Sequence, residues 1–129
     1  MIDLKLKQIE HEIETWKRML LYMQEENIHL KNRLSEVLKD RFDNKMLEVV
    51  EVFQSRFIML DDLVSSLKKE IAAVEETFYP KTNSAESVAH TSEKSITAIR
   101  NDLEVAEKMF AGIKTAFNHY LLENINDNK

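Results

Sequence analysis

The chain has no cysteine, one glycine and one proline in 129 residues. Without cysteine there is no disulfide, no thiolate metal ligand and no cysteine nucleophile. The single glycine, Gly112, leaves no Gly-rich phosphate loop and no glycine elbow around a serine nucleophile. Sheets need many tight turns, which Gly and Pro largely supply, so their scarcity favours a few long helices. Long apolar runs are missing as well. The longest, Met19 to Met23, falls far short of the roughly 20 residues that span a bilayer. The opening MIDLKLKQIE lacks the apolar core of a secretory signal, so a cytoplasmic location is expected.

A positive balance is absent too. The formal net charge is −5, with residues 1–42 neutral, 43–80 at −4 and 81–129 at −1. Nucleic-acid binding depends chiefly on neutralising phosphates, and an acidic chain opposes it. The same balance disfavours an anionic membrane surface. At 43% hydrophobic and 32% charged residues, the chain has enough apolar material to fold as one domain over 1–129.

What the sequence does contain is a heptad seam, three times over. The first runs Ile2, Leu6, Ile9, Ile13, Trp16, Leu20, Met23, Asn27, Leu30, Leu34, Val37. The second runs Met46, Val50, Phe53, Phe57, Leu60, Val64, Leu67, Ile71, Val74, Phe78, and the third Ile96, Ile99, Leu103, Ala106, Phe110, Ile113, Phe117, Tyr120. Spacings that alternate three and four put each set on one side of a helix, where it can seat against another helix. Extra apolar residues beside the seams (Leu21 and Ile28 in the first; Val49, Val52, Met59 and Leu63 in the second) widen the stripes enough to meet two neighbours.

The phase breaks twice. Continuing the first seam past Val37 lands on Arg41, and Asp43 can cap a new helix there, which predicts a turn near 41–44. One continuous kinked helix from 3 to 78 is the competing reading. Pro80 ends the second helix, because its ring removes a donor and pushes the preceding residue out of helical geometry. Asn83 with Glu86, or Thr91 with Ser92, can open the third. The predicted helices are 3–40, 44–78 and 84–123, followed by a polar tail, 124–129. Short connections between spans of similar length give an all-α, up-down-up antiparallel three-helix bundle with coiled-coil-like packing. Its second helix is expected to be the most buried.

Candidate chemistry is sparse. Asn27 is the one polar residue on an otherwise apolar seam. In coiled coils a buried Asn fixes register and oligomer state at a cost in stability. It could pair with Asn27 of a second copy or be satisfied locally, for instance by Gln54 or Ser55 on the second helix. Asn27-Ile28-His29-Leu30 with Leu34 and Val37 resembles a fragment of a basic-region leucine zipper. In that family a basic helix just upstream contacts DNA, whereas here the upstream stretch carries Glu10, Glu12, Glu14, Glu25 and Glu26, so nothing of that activity carries over. The layout is also similar to spectrin-type repeats and to regulatory domains of vesicle-fusion proteins, a likeness of architecture alone.

Glu26 and His29 have the Glu-x-x-His spacing of di-metal carboxylate bundles, but those need two such motifs and there is only one. Glu25 with His29, Glu86 with His90 and Glu14 with Arg18 read as surface pairs. No metal, cofactor or catalytic residue is expected. The basic group Lys31, Arg33, Lys39, Arg41 and Lys45 offers an end where an acidic partner could dock. Gly112, among Ala106, Ala111 and Ala116, makes the third helix slim, read as close helix approach with Ala106 opposite Phe57, or else as a groove for a partner's aromatic side chain. The function expected is an interaction or scaffolding module that recognises helix faces and pairs with itself. Asn27, Leu21, Ile28, Met59 and Gly112 are its candidate specificity residues. A metal-binding carboxylate bundle and an adaptor in a nucleic-acid complex are the disfavoured alternatives.

Overall fold

A computed structural model describes residues 2–41, 44–78 and 85–126, with side chains over 4–40, 44–76 and 95–124. Helix α1 spans Ile2–Arg41, a 3-10 turn spans Asn44–Met46, α2 spans Leu47–Phe78 and α3 spans Ala85–Asn126. All three helices pack against one another, and no strand occurs among the described residues. The chain is an all-α three-helix bundle. Asp43, Pro80 and Asn83, and the side chains of Glu86, His90, Thr91 and Ser92, lie outside the described residues.

The core follows the seams closely. Ile13, Trp16, Leu20, Met23, Leu30 and Leu34 of α1 are buried. So are all seam residues of α2 from Val50 to Val74 and all those of α3 from Ile96 to Phe117. Ile9, Val37, Met46 and Tyr120 pack partly buried at the ends. One core residue falls off the seam: Leu121, next to Tyr120, is buried at 4% exposure. The predicted tail is also shorter than expected, because α3 continues to Asn126, with Asn124 Nδ2 donating to the Tyr120 carbonyl at 2.8 Å.

An aromatic cluster joins α2 to α3. Phe117 meets Phe53 at 5.1 Å and Phe57 at 5.4 Å, both edge-to-face, and Tyr120 lies 5.7 Å from Phe53. Edge-to-face pairs add roughly 0.5–1.5 kcal/mol each beyond the area they bury. This cluster corrects one expectation. Phe57 faces Phe117, not Ala106, which is fully buried about 16 Å further along α3 at 1.5 Å per residue.

Polar side chains beside the seams set how the helices align. On α1, Lys17 Nζ donates to Glu75 Oε2 at 2.6 Å, Gln24 Oε1 accepts from Lys68, and Lys31 pairs with Asp61. Each step of seven up α1 is matched by a step of seven down α2, so the two helices are antiparallel, which settles the break near 41–44 as a reversal of direction. On its other flank α1 meets α3. Arg100 donates from Nε and Nη2 to both oxygens of Glu12 at 2.6 and 2.7 Å, and Lys114 pairs with Glu26 at 3.3 Å. These two pairs climb both helices by fourteen residues, so α1 and α3 are parallel.

The rungs are partly exposed, and each is worth at most about 1 kcal/mol. Their effect lies in the alternatives they disfavour. Slipping α2 by one heptad against α1 in either direction sets Lys68 opposite Lys17 or Lys31. Slipping α3 against α1 in either direction sets Glu107 opposite Glu12 or Glu26. Like charges directly opposed are destabilising, so both interfaces resist the slip that a heptad repeat would otherwise permit.

Candidate interaction surfaces

The five candidate residues fall in three separate places. Asn27 is inside: none of its surface is exposed, and its amide donates to the Phe57 carbonyl at 3.0 Å and to Asp61 Oδ1 at 2.7 Å. Both partners are on α2, one turn apart, and neither Gln54 nor Ser55 is among them. Asp61 accepts from Asn27 on one oxygen and from Lys31 on the other. The result is a three-residue polar layer that runs from the core to the surface. Two acceptors face the amide nitrogen, which fixes the amide's orientation. The buried Asn27 Oδ1 atom has no hydrogen-bond partner among the described residues. Such an orphaned acceptor costs about 1–3 kcal/mol.

Leu21 and Ile28 form the second place. They lie seven residues apart on one face of α1, 51% and 46% exposed, covered by neither of the other helices. Met59 and Gly112 form the third, an outer groove between α2 and α3 that is also lined by Arg56, Lys108, Met109 and Ile113. Gly112 corrects an expectation of close helix approach. A Cβ added there would meet nothing within 4 Å, so no neighbouring helix requires the glycine. Replacing Gly112 with alanine is therefore expected to stabilise the bundle by about 1 kcal/mol, read as a higher thermal midpoint.

Lys17, Arg100 and Lys114 each hydrogen-bond across helices. Hydrogen bonding to Glu75 raises the pKa of Lys17 above its ordinary value, and hydrogen bonding to Glu12 does the same for Arg100. Lys114 is raised by its hydrogen bond to Tyr22 and then by Glu26, and its ammonium lies 5.8 Å from the centre of the Phe110 ring. Glu26 is thus engaged with α3 while His29 is exposed, and the two do not converge. Glu14 meets Lys17 at 3.8 Å, whereas Arg18 donates to the Glu14 backbone carbonyl, in place of the expected Glu14–Arg18 ion pair. His119 pairs with Glu123 at 2.9 Å on the surface. Among the described residues, no three His, Asp or Glu side chains are grouped to hold a metal ion, and no helix is long and apolar enough to cross a membrane.

The seams alone do not identify the polar layer and the rungs, but the positions beside them carry a signal. Lys17, Gln24 and Lys31 repeat every seven residues beside one seam, as do Asp61, Lys68 and Glu75 beside the next. Compared with known proteins, the chain matches no family model, no curated protein and no solved structure.

Proposed function

We propose that the chain is a non-enzymatic interaction module that recognises helices through its outer faces and pairs with a second copy of itself. The observation that carries this reading is the apolar surface left outside the core. Among the described residues, ten large hydrophobic side chains, from Leu47 at 44% to Leu4 at 69%, remain exposed around seams that are already filled. Leu21 and Ile28 among them have the heptad spacing on one helix face that a facing helix requires. A two-fold dimer uses one patch twice, so this face can close on itself without generating an open chain. A scaffolding role in the cytoplasm follows as part of the same proposal.

The test is a mass measurement by light scattering on the natural chain and on a Leu21→Glu, Ile28→Glu double variant. The natural chain should approach twice its 15.2 kDa mass as concentration rises, and the variant should stay at the single-chain mass with unchanged helicity. A natural chain that remains monomeric at high concentration would contradict the pairing.

A further inference from the structure

Every cross-helix rung described above has α1 on one side. The outer groove between α2 and α3 is built differently. Its floor is apolar, from Met59, Met109 and Ile113, and its charged residues are Arg56 and Lys108. No acid lines it, in a chain with 23 acidic side chains against 18 basic ones. Elsewhere Lys31 is engaged across helices by Asp61, and Arg100 by Glu12. Here Arg56 lies over the Phe53 ring at 5.8 Å, and Lys108 reaches Glu104 of its own helix at 3.5 Å. Both members of that last pair are largely exposed, so the contact leaves the cation available.

Gly112 is the second observation. A mid-helix glycine costs roughly 1 kcal/mol relative to alanine, and none of the described residues comes within 4 Å of the Cβ it lacks. Met59, 57% exposed, borders that space with Met109, and methionine side chains adapt readily to an incoming group.

We propose that this groove binds an acidic amphipathic helix of a partner protein. One large apolar side chain of that helix lies over Gly112, between Met59 and Met109, and its flanking carboxylates meet Arg56 and Lys108. The incoming helix takes the place of a fourth helix in a bundle, laid along the seam of an antiparallel pair. A second copy is a poor occupant. Seating its α1 face here would join two unlike surfaces and give an open chain of molecules in place of a closed pair. The proposal rests on the reading of the protein as a helix-recognising module, and names a different face from the one that pairs copies.

The test titrates the full chain, labelled at its methionine methyl groups, with a Glu/Ala-rich helical peptide bearing one central Leu. A twin peptide with Lys in place of Glu is the control. The acidic peptide should shift the Met59 and Met109 methyl signals saturably, more weakly in high salt, and leave Met19 unchanged. Arg56→Glu with Lys108→Glu should weaken binding roughly tenfold, the size expected for losing two rim ion pairs. Gly112→Leu should abolish it by filling the groove, in a helix that the substitution itself stabilises. Equal shifts with the basic twin, or shifts at Met19 in place of Met59, would overturn the proposal while leaving helix recognition standing. Shifts of Met59 and Met109 with concentration alone would also overturn it, by assigning the groove to a second copy. No shift at any methyl, in a chain that also stays monomeric, would overturn both readings.

Discussion

Replacing Phe57 with alanine is expected to lower the stability of the bundle by about 3–5 kcal/mol, a large share of the 5–15 kcal/mol typical of a whole domain. Phe57 is 1% exposed at the centre of the aromatic cluster, against Phe117 at 5.4 Å and Phe53 at 6.2 Å. Its backbone carbonyl also receives Asn27 from α1. Truncation therefore opens a cavity at the level where all three helices meet, and long helices linked at their ends cannot collapse readily around it. Phe57→Leu, which retains most of the volume, should lose less than about 1.5 kcal/mol. Urea unfolding of the two variants measures the contrast. Equal losses would mean that the site relaxes around either side chain and that the cluster is less tightly packed than its distances indicate.

The polar layer gives the second large effect, with opposite signs at its two main members. Asp61→Ala removes the acceptor that holds a fully buried amide and leaves one Asn27 N–H bond unmade, for an expected loss of about 2–3 kcal/mol. Lys31 loses its partner as well, but it is exposed enough to return to water. Asn27→Leu removes the orphaned Oδ1 together with the amide, and should stabilise the bundle by about 1–2 kcal/mol. In the Asn27→Leu background, Asp61→Ala should then cost little, so a double-mutant cycle isolates the bond between them. Thermal unfolding of the four proteins reads both signs. The same cycle separates two roles for a buried Asn. Both amide donors are already used within the chain, so removing Asn27 should leave the oligomeric state unchanged.

The fold was largely legible because burial follows periodicity. Heptad spacing marks which face of a helix is apolar whatever lies opposite, and the phase break after Val37 needs no partner to be seen. The predicted helix ends were likewise within a few residues of α1, α2 and α3. Pairings were harder, because they depend on the offset between helices, and that offset is fixed by connections whose geometry a heptad pattern does not contain. The pattern alone puts Ala106 opposite Phe57 and Gln54 or Ser55 near Asn27, whereas Phe57 meets Phe117 and Asn27 donates to Asp61 and the Phe57 carbonyl. The charges at heptad spacing beside the seams held the missing information. A register that puts Lys17, Gln24 and Lys31 against Glu75, Lys68 and Asp61 avoids the lysine pairs that either one-heptad slip creates.

Gly112 departs from the expected close approach for a different reason. Its composition neighbourhood (Ala106, Ala111, Ala116) suggested a slim contact, but its position directly before the seam residue Ile113 places it toward the outside. Leu21, Ile28 and Met59 were legible as exposed apolar residues because each lies off its seam. Which surface covers them is not written in one chain's pattern, since an outer face is complementary to a second molecule.

The most direct test of the account is whether the α1 face brings two copies together. A chain without cysteine accepts a single engineered thiol, and Glu25 is exposed on the rim of the patch between Leu21 and Ile28. Spin labels attached through Glu25→Cys, measured by pulsed electron resonance at dimer-forming concentration, should report one inter-label distance. Helix axes 8–10 Å apart, plus the reach of two labels, place it at roughly 20–30 Å. Adding Leu21→Glu and Ile28→Glu should remove that signal. Absence of any inter-label distance in the otherwise natural chain, or its persistence in the glutamate variant, would contradict the reading of this face as the pairing surface.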